Sequence, residues 1–77
     1  MTIDDFKNSM DMNMEISFDY DSEFFHIEPD DKTDDWMIFR SSNPDHPIYM
    51  AKEKVVEFDI NGHKMGDILT DITNATY

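Results

Sequence analysis

A run of alternating apolar and polar side chains constrains the fold of this chain more than any other feature. The apolar members lie at every second position, at Met12, Met14, Ile16, Phe18 and Tyr20, and polar residues separate them. Successive side chains of a β-strand point to opposite faces of a sheet, so a period of two predicts a strand. We therefore expect one face of a sheet to meet a core and the other face to meet water.

The residues that follow predict a hairpin. Asp21-Ser22 can form a two-residue turn, although tight turns favour Asn-Gly or Asp-Gly, so a longer loop stays an alternative. The tight turn aligns the apolar faces of the two strands and places Glu15 opposite Glu28 on the polar face. The predicted pairs are Tyr20 with Glu23, Phe18 with Phe25, Ile16 with Ile27, Asp19 with Phe24, and Ser17 with His26.

Elements on either side of the hairpin complete an antiparallel sheet. The chain begins with a predicted short helix, in which Thr2 and Asp5 form a capping box and the apolar residues Ile3, Phe6 and Met10 have helical spacing. Trp36 to Arg40 predicts a third strand that is apolar on both faces and so is central or covered by a helix. Ile48 to Met50 favours a short fourth strand.

The C-terminal third is harder to interpret. Lys52 to Ile60 fits either two helical turns or a strand in which Val56, Phe58 and Ile60 alternate. After Asn61-Gly62, four apolar residues with helical spacing predict an amphipathic helix. Those four residues are Met65, Ile68, Leu69 and Ile72.

We therefore predict an α+β fold with an N-terminal helix, a three- to four-stranded antiparallel β-meander, and a C-terminal amphipathic helix packed on one sheet face. At 77 residues the chain is expected to be a single small domain, spanning residues 1–77. The expected core consists of Phe6, Met14, Ile16, Phe18, Phe25, Ile27, Ile38, Tyr49, Phe58, Ile68, Leu69 and Ile72.

Negative charge is concentrated in the first 35 residues, which hold twelve acidic and two basic side chains and carry a net charge of −10. The remaining residues carry only −2. Such a field attracts basic surfaces and repels phosphate backbones, so we expect a basic protein partner and no direct binding of nucleic acid. The start of the chain does not resemble a secretory signal, and no apolar stretch suits a membrane helix. We therefore expect a cytoplasmic protein that does not contact membranes.

The residue types offer little chemistry for catalysis. There is no cysteine, and two glycines are too few for a phosphate-binding loop. His26, His46 and His63 are far apart in sequence, whereas a zinc site needs three or four ligands with close pairs. The acidic loop Asp30–Asp35 departs from the calcium-binding EF-hand pattern. We expect no enzyme activity, no cofactor and no metal site.

We interpret the chain as a non-enzymatic binding or regulatory protein whose anionic N-terminal half contacts a basic protein partner. Phe24, beside acidic residues on the polar face, suits an interface anchor. One alternative is a nucleic-acid mimic that inhibits a DNA-binding enzyme, since alternate strand residues rise about 6.6 Å, roughly twice the charge spacing along one DNA strand. Another is weak divalent-cation binding by the acidic loop, and a third is acidity that only keeps the domain in solution. The expected partner-binding residues are Glu15, Asp19, Asp21, Phe24, Glu28, Asp30, Asp31, Asp34 and Asp35.

Residues Phe58 to Leu69, with the sequence FDINGHKMGDIL, resemble small uncharacterised acidic proteins of Gram-positive bacteria and their mobile elements. In those proteins an apolar residue precedes a turn with glycine and a basic residue, and a short amphipathic helix follows. The resemblance implies a β-meander before this segment and favours the helical interpretation of Lys52 to Phe58. It implies no activity and no functional residues.

Overall fold

The computed structural model describes residues 1–77 and contains one α-helix, seven β-strands and two segments of 3-10 helix. The α-helix and the antiparallel sheet confirm the predicted α+β class. The elements are α1 (Ile3–Asp11), β1 (Ile16–Tyr20), β2 (Glu23–Pro29), β3 (Asp35–Arg40), β4 (Ile48–Ala51), a first 3-10 segment (Lys52–Glu57), β5 (Asp59–Ile60), β6 (His63–Lys64), a second 3-10 segment (Met65–Asp67) and β7 (Thr73–Thr76).

Five strands form one antiparallel sheet in the order β4-β3-β2-β1-β7, and β5 pairs with β6 in a separate hairpin. The first four strands are the predicted meander, and β3 lies inside the sheet as its apolar faces indicate. The sequence pattern did not predict β7, which adds a fifth strand at the free edge of β1. One extra residue on β7 forms a bulge opposite Ser17 and Asp19, and Asn74 in that bulge has φ 54°.

The tight turn between β1 and β2 is confirmed, together with the register that it imposes. Tyr20 pairs with Glu23, and the predicted pairs continue along both strands to Ile16 and Ile27. Asp21 and Ser22 both have positive φ, at 51° and 63°. This is the left-handed geometry of a type I′ turn, whose twist matches that of the strands and which favours glycine or asparagine over serine.

Helix α1 begins and ends with capping motifs that the local sequence supplies. At its start, the Thr2 N–H donates to Asp5 Oδ2 and the Asp5 N–H donates to Thr2 Oγ1, each at 3.1 Å, which confirms the capping box. At its end, the Asn13 N–H donates to the Met10 carbonyl and the Met14 N–H to the Ser9 carbonyl. Asn13 has φ 55°, so these two bonds form a Schellman motif that ends the helix.

The first part of the alternating run is therefore not a strand, and this corrects the prediction. Met12 is the C-cap residue of α1 and is 70% exposed, whereas Met14 follows the cap and is 46% exposed. Only from Ile16 onward does the period of two describe a strand. The helix cap satisfies the backbone groups of residues 12–14, so the chain is already committed there to a different local geometry.

The predicted C-terminal amphipathic helix is absent, and the segment instead forms a 3-10 turn followed by β7. Met65, Ile68 and Leu69 are nevertheless buried. Their spacing correctly indicates residues of the core, although the backbone that carries them is not an α-helix. A Cβ atom on Gly66 would lie 3.2 Å from Ile3 Cδ1 and 3.3 Å from the Val56 carbonyl oxygen. Gly66 thus allows the turn to pack closely against two other segments, and a short 3-10 turn places residues three apart on one side.

Residues 52–60, for which the sequence fits either a helix or a strand, form a helical segment followed by a short strand. Lys52–Glu57 forms 3-10 helix and buries Val55, and Asp59–Ile60 then forms a short strand. Asn61-Gly62 makes a second two-residue turn, with φ 53° and 91°, and joins β5 to β6.

A single cluster of thirteen buried apolar residues forms the core. Most of the predicted core residues belong to it, but Met14 and Tyr49 are exposed, at 46% and 54%, and Phe58 and Ile72 are only partly buried at its margin. The members are Phe6, Met10, Ile16, Phe18, Phe25, Ile27, Trp36, Ile38, Val55, Ile60, Met65, Ile68 and Leu69.

The core lies on one face of the five-stranded sheet, which we call the inner face. Strands β1, β2 and β3 contribute alternate residues to it, and α1 and both 3-10 segments contribute their buried residues to the same cluster. The opposite face, which we call the outer face, is formed by the intervening residues of β1 to β4. No helix packs on it. None of the helical segments has the length and apolar character required to cross a membrane.

Candidate functional site

The centre of the outer face is apolar and partly exposed. Phe24 on β2 and Tyr49 on β4 are 49% and 54% exposed, and Met37 and Phe39 on β3 between them are half-buried. The sheet register brings these side chains together, because Met37 pairs with Tyr49 and Phe39 pairs with His26, next to Phe24 on the same face. An uncovered group of large apolar side chains is typical of an interaction surface.

Carboxylates lie along the β1 side of this apolar group. Asp19 pairs with Phe24 near the hairpin turn, Glu28 lies at the far end of β2, and Glu15 is the residue just before β1. The Asn74 side-chain amide donates to Asp19 Oδ2 at 2.8 Å. A neutral amide fixes the position of this carboxylate without cancelling its charge. The outer face therefore presents aromatic side chains next to fixed negative charges.

Glu15, His26 and Glu28 form a cluster at one end of the outer face. His26 Nε2 lies 3.3 Å from Glu15 Oε1 and 3.4 Å from Glu28 Oε2. The ring of His26 packs at a tilt against Phe39, with 6.1 Å between the ring centroids. The imidazole on β2 thus lies between the carboxylate of Glu28 on the same strand and that of Glu15 just before β1, with Glu15 the most exposed of the three.

Glu23 is different, because its carboxylate is hydrogen-bonded to groups of the protein itself. It lies on the inner face and accepts two bonds of 2.7 Å from Arg40 Nε and Nη2, and the Ser42 N–H and hydroxyl also donate to it. Arg40 also lies over the Phe25 ring, 5.2 Å from its centroid. The hydrogen bonds from Arg40 lower the pKa of Glu23 to about 2, against the opposing effect of burial. The bonds to Glu23 raise the pKa of Arg40.

The acidic loop between β2 and β3 is held by its own side chains. Asp30 accepts hydrogen bonds from the Lys32 N–H at 3.2 Å and the Thr33 hydroxyl at 2.9 Å. The Asp35 N–H donates to Thr33 Oγ1 at 3.1 Å. Asp30 thus stabilises the turn, while Asp31 and Asp34 are exposed. Asp31 also lines a shallow open depression together with Glu15 and Glu28.

The structure brings four of the sequence-predicted partner-binding residues together on the outer face, namely Glu15, Asp19, Phe24 and Glu28. Asp21 lies at the hairpin turn, where its Oδ2 accepts a 2.9 Å bond from the Asn61 side-chain amide. The other four predicted residues, Asp30, Asp31, Asp34 and Asp35, belong to the β2–β3 loop and its junction with β3.

Sequence reasoning missed His26 and the apolar residues Met37, Phe39 and Tyr49 as parts of this surface. The signal for His26 was present, since the predicted hairpin register already places it on the same face as Glu15 and Glu28. The three apolar residues could not be found in the same way. Their position depends on the pairing of β2 with β3 and β3 with β4, which are joined by loops whose lengths do not fix a register.

Comparisons with protein-family models, with curated proteins and with solved structures found no significant match. The resemblance of residues 58–69 to acidic proteins of Gram-positive bacteria therefore stays a prediction.

Proposed function

We propose that this protein is a non-enzymatic binding module that contacts a basic protein partner through the outer face of its sheet. The observation that carries the proposal is the arrangement of that face. The exposed Phe24 lies beside the carboxylate of Asp19, and Tyr49 lies across Met37 from Glu28, on the face that no helix covers. Glu15 lies at the end of this face, beside His26.

The apolar part of the face supports binding rather than folding. Phe24 and Tyr49 lie outside the buried core and leave about half of their surface in water. Exposing large side chains is unfavourable at about 25 cal/mol per Å² of apolar surface. Aromatic residues at the centre of an interface can supply much of its binding energy. Binding of a partner would bury this surface and recover that free energy.

The charge of the chain argues for a basic partner and against a second copy. Each molecule carries a formal net charge of −12 at pH 7, so two outer faces would repel one another. Complementary charge instead accelerates encounter with a basic surface and sets its orientation. The partner surface that fits is one with lysine or arginine around an apolar centre.

A titration monitored by backbone amide NMR tests the proposal. The probe is a peptide rich in lysine and arginine with one central aromatic residue. We expect the largest shift changes along β2 and β3 on the outer face, and affinity that weakens steeply with salt. Uniform changes at every carboxylate, with none at Phe24, Phe39 or Tyr49, would indicate unspecific counterion attraction and reject the proposed face.

Two pairs of variants test whether binding depends on where the apolar and acidic side chains lie, and not only on their number. Phe24→Ala is expected to weaken binding of the probe about 10-fold or more, whereas Met12→Ala removes an even more exposed apolar side chain at the end of α1 and leaves binding unchanged. Asp19→Asn combined with Glu28→Gln is compared with Asp31→Asn combined with Asp34→Asn. Both double variants change the charge equally, and only the first is expected to weaken binding.

Competition with duplex DNA distinguishes mimicry of nucleic acid from the proposed contact. The bound partner of a mimic is a DNA-binding enzyme, and duplex DNA displaces the mimic from it. Mimicry requires a row of charges, and Ser17 interrupts the row between Glu15 and Asp19 on β1. The aromatic residues on the face also have no counterpart in a phosphate backbone. Dependence on Phe24 therefore favours the general basic partner.

A further inference from the structure

We infer that Glu15, His26 and Glu28 form a site for a divalent transition-metal ion, with Zn²⁺ as its representative. The cluster contains an imidazole nitrogen as well as two carboxylates, and so differs from the purely acidic groups elsewhere on the chain. The three ligand atoms lie within 4.8 Å of one another. The inference does not depend on the proposed partner.

Two of the three separations between the ligand atoms match the edges of a tetrahedral coordination shell. Zinc binds histidine nitrogen and carboxylate oxygen at about 2.0–2.2 Å, so the edges of its tetrahedron measure about 3.3–3.6 Å. The distances from His26 Nε2 to Glu15 Oε1 and Glu28 Oε2 are 3.3 and 3.4 Å. An ion can therefore enter between the three atoms with small side-chain adjustments.

The positions of the ligands are fixed by the sheet. His26 and Glu28 are two residues apart on β2 and therefore point to the same face, and Glu15, the residue directly before β1, reaches His26 Nε2 at 3.3 Å. The His26 ring also packs against Phe39, which restricts its rotation. Two of the three ligands therefore lie on a strand, which keeps its geometry better than a loop, and binding of the ion has to order only the exposed side chain of Glu15.

The ligand set selects the class of metal. One imidazole with two carboxylates suits Zn²⁺ and related transition metals, whereas Ca²⁺ and Mg²⁺ require more oxygen ligands. Glu15 is 63% exposed, so the fourth coordination position faces solvent and can hold water. The acidic loop supplies oxygen ligands alone and has no imidazole, so it is not part of this site.

The sequence analysis expects no metal site because the three histidines are far apart along the chain. That criterion considers only histidines and does not detect carboxylates that the fold brings beside a single histidine. His26 has two such neighbours, Glu15 and Glu28. His46 and His63 belong to no such cluster.

Isothermal titration with Zn²⁺, Mg²⁺ and Ca²⁺ tests the inference, with amide NMR to locate the ion. We expect one Zn²⁺ to bind, with shift changes confined to the ends of β1 and β2, and neither Mg²⁺ nor Ca²⁺ to bind comparably. His26→Gln is expected to weaken Zn²⁺ binding at least about 10-fold. Glu15→Gln combined with Glu28→Gln is expected to abolish it.

His63→Gln and the double variant Asp67→Asn with Asp71→Asn, at two exposed aspartates outside the depression that contains the ligands, are the matched controls, and both are expected to bind Zn²⁺ as the wild type does. Circular dichroism confirms that each variant folds, and His26→Gln alone decides the test if the double glutamine variant does not. The inference is overturned by absent Zn²⁺ binding, by unchanged binding in His26→Gln, or by equal loss in His63→Gln. Equal binding of Mg²⁺ or Ca²⁺ also overturns it, since that indicates a diffuse counterion atmosphere.

Discussion

Strand β2 carries two glutamates, Glu23 at its start and Glu28 near its end, and their surroundings differ sharply. Glu23 points to the inner face, where Arg40 and Ser42 satisfy its carboxylate and its side chain is only 12% exposed. Glu28 points to the outer face, where its nearest partner is His26, which it shares with Glu15. Five residues along one strand therefore separate a structural carboxylate from one that is open to a ligand.

The net charge of this chain therefore overstates the charge that is available to a partner or an ion. Glu23 is neutralised by a forked pair with a guanidinium, the strongest geometry for a carboxylate. Glu15, Asp19 and Glu28 have neighbours that position them without a matched permanent cation. The carboxylates that a partner or an ion meets directly are therefore those of the outer face.

The largest expected effect is a loss of stability when the charge of Glu23 is removed, with Glu28 as the comparison. Glu23→Gln breaks the forked pair and leaves Arg40 without its partner, and we expect a loss of about 2–3 kcal/mol in the free energy of unfolding. Glu28→Gln is the matched control and is expected to change stability by less than about 0.5 kcal/mol. Urea denaturation measures both. Equal losses would remove the distinction between the two ends of β2.

Lowering the pH is expected to remove the stability that Glu23 contributes, because the pKa of Glu23 is about 2 in the folded chain and 4.5 as its ordinary value. The unfolded chain takes up the proton first as pH falls, so the stability from this group is complete above pH 4.5 and is lost toward pH 2. We expect the difference in stability between wild type and Glu23→Gln to shrink by about 2 kcal/mol over this range. A difference that stays constant with pH would contradict the lowered pKa.

Arg40→Lys tests whether the fork or the charge alone holds Glu23. Lysine keeps the charge but loses the two parallel bonds and the contact of the guanidinium with the Phe25 ring, so we expect a loss of about 1–1.5 kcal/mol. Lys54→Arg is the control, because its pair with Glu57 is exposed. Thermal unfolding followed by circular dichroism measures both variants. If Arg40→Lys is as stable as wild type, the positive charge alone accounts for the stabilising effect of Arg40 on Glu23.

Ser22→Gly has the smallest expected effect and tests the turn that precedes Glu23. Ser22 has φ 63°, which glycine adopts without strain, so we expect a gain of about 0.5–1 kcal/mol. Ser17→Gly within β1 is the control and is expected to destabilise, because glycine in a strand interior increases the entropy lost on folding. Chemical denaturation distinguishes the two signs. A loss in Ser22→Gly would indicate that the hydroxyl, rather than the backbone, matters at this turn.

The β1–β2 hairpin could be predicted from the sequence because its information is local. A two-residue turn and a period of two fix the register once one face is buried, and this placed Glu15, Asp19, Phe24 and Glu28 on one surface. The C-terminal segment could not be predicted in the same way. Its apolar spacing at Met65, Ile68 and Leu69 is satisfied by a 3-10 turn as well as by an α-helix, and the 3-10 turn that forms packs Gly66 closely against Val56, which is distant in sequence.

Local sequence is sufficient for the capped helix, the β1–β2 hairpin and the concentration of acidic residues in the first half, because each depends on neighbours along the chain. Which of these acidic side chains stay available to a partner or an ion depends on long-range contacts. Pairing of β2 with β3 brought Arg40 within reach of Glu23 on the inner face and set Met37 and Phe39 beside His26 on the outer face. Contacts between residues distant in sequence have no local signal, since they exist only when separate strands meet.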